Sequence, residues 1–341
     1  MQHKRFFAFF LIILPFLFLS SGKHSHAQDV LDPELIQKAK GEGQVVFYVT
    51  WNISDIQDAL NGFQKRHPFI KATFYRSGDE ALLNRVRTEA KAGRFAWDVL
   101  DNTTLNGDLL TREGHFARYL GPERKFMRKG HMDDEGYWIS SHANIHVLIY
   151  NTRLVSRADV PKTHQDLLDP KWRGKMAMDT KAYEWFANLI QVMGESKGVE
   201  FMKRLGQQQI SFRSGRTLIT QLVAAGEVSM GIALYLHRAL DFKKRGAPVD
   251  WVALDPAVAN LHPLGLSAKA PHPNSGKLLI SYLLSKEFQS HYSPAGKLPA
   301  RTDVSVSEEI LRGINPYPSD IRLAERYNHY VKLYREILQA P

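Results

Sequence analysis

A two-block α/β fold is predicted by three features of the sequence. Apolar β-rich runs alternate with amphipathic helical runs over residues 44–113, and a second alternation with different spacing begins after Gly136. The chain has 341 residues, more than one hydrophobic core usually supports, since single cores rarely grow beyond about 250–300 residues.

The elements follow in order. Asp32 and Pro33 open a short helix that ends in Gly41-Glu42-Gly43. The run 44–50 is a strand. Ser54 with Gln57 makes a capping box for a helix placing Ile56, Leu60 and Phe63 on one face, stopped by Pro68. A strand over 70–75, a second capping box (Ser77 with Glu80), a helix reaching Ala92, a strand over 97–101 and a helix over 105–113 come next. Strand-helix units of this length need parallel strands with right-handed crossovers, because a hairpin cannot join parallel neighbours. That geometry puts Trp51-Asn52, Arg76-Ser77-Gly78 and Asp101-Asn102-Thr103 at one sheet edge. In the second block an apolar run, 145–150, ends at Asn151-Thr152. Further strands are expected over 176–178, 228–234 and 251–254, an apolar run follows over 264–268, and helices are expected over 183–193, 198–205, 217–225, 273–284 and 319–338. Leu323, Tyr327, Tyr330, Tyr334 and Ile337 of the last helix clip it onto the body.

Residues 1–5 are basic, 6–19 almost wholly apolar, and Ser25-His26-Ala27 is a signal-peptidase-like site, so export with cleavage after Ala27 is expected. The apolar run contains Pro15 and is short for a bilayer span. Without cysteine the chain has no disulfide and no lipidation site of the lipobox kind. The formal charge is +10; removing Lys4, Arg5 and Lys23 with the leader leaves +7. That excess is spread along the chain with no aromatic-basic repeat, which argues against nucleic-acid binding.

Candidate site residues concentrate in 211–246. Arg213 and Arg216 lie on a turn before a helix, whose unpaired N–H groups favour an anion. Tyr235 and His237 stand where an apolar strand leaves the sheet and Tyr235-Leu236-His237 opens a charged helix, the edge at which open α/β sheets hold ligands. If the strand continues through both, they face alike. The opposite wall is assigned to Trp51, Asn52, Ser77, Gly78, Asn102 and Thr103, with Tyr150 near the cleft. Ser77 and Thr103 also read as helix caps, Asn102 as a turn former, and His142 and His146 as structural.

The motifs Gly43-Gln44-Val45-Val46-Phe47-Tyr48, Trp97-Asp98-Val99, Tyr150-Asn151-Thr152, the run 167–175, Gly226-Glu227, Ala270-Pro271-His272-Pro273-Asn274 and Leu298-Pro299-Ala300-Arg301 occur in one order over nearly all the mature chain. In that order the sequence resembles the periplasmic solute-binding proteins of ABC importers, extracellular solute-binding family 1, and within it the ferric-ion-binding branch. The resemblance implies an α/β, two-lobed type II periplasmic binding protein fold with a hinge of two crossover strands. It places the N-lobe at 28–133 and 258–305 and the C-lobe at 134–257 and 306–341, after a signal peptide over 1–27. It implies a monomer that hands its solute to an inner-membrane permease, without a cofactor. Ferric-binding relatives use two adjacent tyrosines where this chain has Tyr235-Leu236-His237, so Tyr235 and His237 are the metal ligands if Fe(III) is the transported ligand; phenolate is a hard donor suited to it. A small organic anion, such as a carboxylate or phosphonate held by Arg213 or Arg216, is the other option. A secreted enzyme on the same scaffold, or a ligand-sensing partner of a membrane receptor, are the alternative classes. Against the enzyme, the chain has no G-x-S-x-G, no H-E-x-x-H and no Walker lysine loop.

Overall fold

The computed structural model describes residues 32–307, 311 and 314–340. The leader expected over 1–27 lies outside the described residues. Helix α1 (Pro33–Glu42) starts where the Asp32 carboxylate accepts the Glu34 N–H at 2.9 Å and stops at Gly43, whose φ of 68° suits glycine. Three strand-helix units follow: β1 (Gln44–Val49) and α2 (Ile53–Arg66), β2 (Lys71–Arg76) and α3 (Asp79–Lys91), then β3 (Val99–Asp101) and α4 (Thr104–Arg112). Strand β1 pairs in parallel with both β2 and β3, as the crossover argument requires. Ile56, Leu60 and Phe63 of α2 are all buried.

Short strand β4 (Phe116–Ala117) leads to the long β5 (Ile139–Asn151). Then come β6 (Met176–Asp179), α5 (Tyr183–Met193), α6 (Glu195–Gly206), β7 (Ser211–Arg213), α7 (Arg216–Ala225), β8 (Met230–Tyr235), α8 (Leu236–Lys244) and β9 (Val249–Val252). The chain continues through β10 (Ala257–Ser267), α9 (Pro273–Leu283), α10 (Lys286–Gln289), β11 (Lys297–Pro299), β12 (Pro316–Pro318), a 3₁₀ segment (Ile321–Arg326) and α11 (Tyr327–Leu338).

The main path through the strands is β2-β1-β3-β10-β5-β8-β6-β7, so β10 and β5 join the two halves. Every residue of both is buried. Strand β5 pairs with β10 along Ile139–Ile145, then with β8 and β9 along its second half. Pro263 is tolerated within β10 because the register shifts between Leu261 and Pro263, where a ladder N–H is not needed.

Several expectations are corrected. Neither capping box forms: α2 and α3 begin after Asn52 and Gly78, and neither start has a side-chain cap. The stretch before α7 is not all turn, since β7 pairs in parallel with β6 there. The charged helix opens at Leu236 as expected, which rules out a strand continuing from Tyr235 to His237, so the two side chains are not related by strand alternation. The final helix is divided at Tyr327. Tyr330, Tyr334 and Leu338 carry its buried face.

Candidate functional site

Six strand-helix junctions converge on one cavity of about 450 Å³. They follow β1, β2, β3, β6, β7 and β8 and open α2, α3, α4, α5, α7 and α8 respectively. Helix starts leave backbone N–H groups without intrahelical partners and carry a partial positive charge. None of these six starts has a side-chain cap. Of the other helices, α1 and α10 are capped by Asp32 and Ser285, while α6, α9 and α11 have no side-chain cap. What matters at the six starts is that they line the cavity, so that their N–H groups are within reach of a ligand.

On one wall Asp179, ending β6, accepts the Lys181 N–H at 2.8 Å and the Gly215 N–H at 3.1 Å. This clasp fixes the turn before α7, where Gly215 has φ 105°, a region hostile to a side chain. Arg216, the first residue of α7, is half-buried. Its guanidinium lies 4.7 Å from the Tyr235 ring centre, and its Nε–H has no partner. Burial opposes its charge, but Tyr235, Asp179, Asp79 and Glu184 outweigh that and hold it protonated. Tyr235 is sandwiched between His146, 4.8 Å away, and His237, 5.4 Å away. Burial raises its phenol well above the usual value, against the pull of Arg216. The end of β8 is aimed by a register shift against β5 and by Ala233, whose φ is 56°. His146 locks that kink by donating from Nδ1 to the Ala233 carbonyl at 3.1 Å, and burial keeps it neutral, with a pKa of about 3.

The two joining strands and β11 supply the floor. His142 stacks on His262, with ring centres 4.4 Å apart, and on Tyr292 at 4.6 Å. His262 is oriented by Asp101 at Nδ1 (3.1 Å) and by Asn144 at Nε2 (2.7 Å). Lys297 pairs with Asp55 at 2.8 Å. Burial first, then neighbouring cationic groups, pushes His142 and His237 well below the ordinary imidazole value, so both stand neutral at pH 7. Buried polar atoms normally find partners. Around this cavity Trp51 Nε1, His142 Nε2, His237 Nδ1 and Arg216 Nε have none, and the buried Glu184 carboxyl has only the Thr104 and Ser319 hydroxyls beside it.

Of the sequence candidates, Trp51, Asn52, Gly78 and Thr103 line the cavity from one side and Arg216, Tyr235 and His237 from the other. Ser77, Asn102, Tyr150 and Arg213 do not line it. Asn102 is buried in its turn, accepting from Thr103 N–H and donating to the Asp79 carbonyl. Tyr150 is buried on β5 opposite Met230 and Asp250. Arg213, exposed on β7, donates to its own neighbour's carbonyl at Phe212. Arg301 is buried against Asp303 and the Leu284 carbonyl, while Lys297, just before that motif, reaches the cavity. Glu184, Asp79, Lys297, His142 and His262 were not read as ligand contacts from the sequence. Glu184 and Asp79 were within reach of the strand-end argument used for Tyr235, because each lies in the first turn of a helix that follows a strand.

Two lobes, a pair of joining strands and a polar cavity at strand ends define a type II periplasmic binding protein. The chain belongs to the bacterial extracellular solute-binding proteins, whose family profile matches residues 108–316. It is the periplasmic solute-binding component of an ABC importer, in a family that binds small solutes and works with membrane permeases. It is 23% identical over 263 residues to the Fe(3+)-binding periplasmic protein of Serratia marcescens, covering 74% of this chain and 77% of that one. To the putative 2-aminoethylphosphonate-binding periplasmic protein of Salmonella typhimurium it is 30% identical over 173 residues, 47% of this chain and about half (51%) of the relative. Among solved structures it superposes on iron-bound HitA from Pseudomonas aeruginosa with a TM-score of 0.74 at 18% identity, covering 86% of this chain and 99% of that one. It superposes on AfuA from Actinobacillus pleuropneumoniae, solved with fructose-6-phosphate, with a TM-score of 0.75 at 21% identity, covering 87% and 98%.

Proposed function

We propose that the transported solute is a small organic anion, with a phosphonate, phosphate or carboxylate group held by Arg216 and the uncapped start of α7. The observation that carries this reading is Arg216 itself: a half-buried, protonated guanidinium with an unpartnered Nε–H, at a helix start without a cap. A guanidinium fork and helix N–H groups together suit a tetrahedral or planar oxyanion. Residues Trp51, His237 and Thr103 complete the contact set, with Asn52, Gly78 and Tyr235 around them.

Fe(III) is the less favoured solute. Tyr235 and His237 stack with ring planes 21° apart, and the Arg216 cation over the Tyr235 ring would repel a trivalent metal there. The lobes are taken as 28–133 with 258–305 and 134–257 with 306–341, closing on the solute as a monomer and releasing it chemically unaltered to its permease after export under the 1–27 leader.

Calorimetric titration of the mature protein with ferric citrate and with alkylphosphonates, read alongside visible absorbance, tests this. Saturable heat with a phosphonate and no tyrosinate-to-iron colour is expected; a coloured ferric complex with no phosphonate heat would overturn it. Tyr235→Phe should weaken phosphonate binding less than about fivefold, a loss below ~1 kcal/mol.

A further inference from the structure

We infer that the solute carries a second acidic group, held at a second subsite of the same cavity by Arg238, Arg76 and the Trp51 indole N–H. This rests on the anion reading above for the first acidic group, the one given to Arg216.

Five cationic side chains line the cavity: Arg76, Lys181, Arg216, Arg238 and Lys297. Lys181 is paired with Glu80 at 2.6 Å and Lys297 with Asp55 at 2.8 Å. Arg76 gives its Nε–H to the Trp51 carbonyl at 3.1 Å, which leaves the rest of its fork open to a ligand. Arg238 makes no hydrogen bond or ion pair with any described residue. It lies in the first turn of α8, at a start without a side-chain cap. Burial opposes its charge, Asp55 and Asp241 favour it, and Arg245 and Arg76 oppose it further. Neither of those carboxylates is spare, because Asp241 is paired with Arg245 at 3.0 Å and Asp55 with Lys297.

This part of the lining thus sets three cations, Arg76, Arg238 and Lys297, against one carboxylate, Asp55. Trp51 adds an independent demand. It is only 6% exposed, and its Nε1–H has no partner. An indole N–H can only donate, so an acceptor must meet it, and Asn52 beside it opens α2 with further uncapped N–H groups. A carboxylate or phosphonate answers both the excess cation and the lone donor. An ammonium group would add like charge, and a neutral hydroxyl would leave the cations unbalanced. Arg76 ends β2 and Arg238 follows β8, on opposite sides of the joining strands β5 and β10, so a group held by both ties the two halves together. The volume of about 450 Å³ is in the range that takes ligands larger than a single acidic head.

The test is calorimetry on the mature protein at pH 7 with alkylphosphonates and their carboxylated counterparts of matched length: ethylphosphonate beside 3-phosphonopropionate, and butylphosphonate beside 5-phosphonopentanoate. In at least one pair the carboxylated ligand should bind about tenfold tighter or more. Arg238→Met should bring that ratio to within about twofold of one, with thermal melting to confirm that the variant is folded. Equal affinity within both pairs, or a ratio that survives in folded Arg238→Met, overturns the second subsite. Tighter binding of 2-aminoethylphosphonate than of either carboxylated ligand overturns it too, since the second group would then be cationic. Should Arg238→Met fail to fold, the wild-type pairs decide. Arg216→Ala separates this inference from the reading it rests on: it should weaken both members of a pair and keep their ratio. A ratio that stands while Arg216→Ala changes neither affinity removes the Arg216 reading and keeps the second subsite; if no phosphonate binds, the two fall together.

Discussion

Glu184 and Arg216 share a wall of the cavity, the Glu184 carboxyl buried beside the Thr104 and Ser319 hydroxyls and the Arg216 Nε–H without a partner. For Glu184 the consequence is a carboxyl pushed by burial from an ordinary 4.5 up to about 7. The sign follows from linkage: a raised carboxyl pKa makes the native state bind more protons than the unfolded chain between those two values, so stability falls as pH rises through that window. Below about pH 4.5 the penalty is absent, and above about pH 7 it is complete. Ligand-free Glu184→Gln should therefore be more stable than wild type by on the order of 3 kcal/mol at pH 8 and nearly equal to it near pH 4.5, by denaturant melts at each pH. For Arg216 the exposed consequence is affinity. Arg216→Ala should weaken phosphonate binding about 100-fold, or ~3 kcal/mol, a loss expected when a charge-assisted contact is removed from a water-poor site; an unchanged calorimetric Kd would count against the anion site.

At the scale of elements, the site depends on where six helices begin and on the kink that ends β8. Ala233, at φ 56° and 4% exposed, sits in the left-handed region that β-branched residues avoid. Ala233→Val should lower stability by more than about 1 kcal/mol and weaken ligand binding as well, since Tyr235 is two residues away; melts and titrations of one variant read both effects. Much of this level was legible in the sequence. The parallel sense of β1, β2 and β3, the extent of α5 and the strand-end placement of Trp51, Gly78, Thr103 and Tyr235 follow from hydrophobic period and crossover geometry, and Arg216 was legible as the start of a helix. Helix starts were less legible: Ser54 and Ser77 match a capping pattern, yet Asn52 and Gly78 occupy the cap positions without side-chain caps. Local propensity marks a helix start to within a residue or two, and tertiary demand at the cavity selects among those positions. His142, Asn144 and His262 gave no periodic signal, because β5 and β10 are buried along their whole length and their cavity contacts arise only from the pairing of distant strands.

For the whole molecule, β5 and β10 are the only strands of the main path that link β2-β1-β3 to β8-β6-β7 among the described residues. Opposite walls of the cavity thus belong to bodies joined by two extended segments, an arrangement suited to hinge closure about strands whose ends absorb the rotation. Closure would bring Arg216 and Glu184 toward Trp51 and Thr103 and shield the solute from water. Small-angle X-ray scattering of the mature protein during titration with 2-aminoethylphosphonate tests this account most directly. It predicts a radius of gyration that falls saturably and levels off at one equivalent of ligand. A scattering curve that stays the same throughout, while calorimetry records binding, would contradict capture by closure of two lobes.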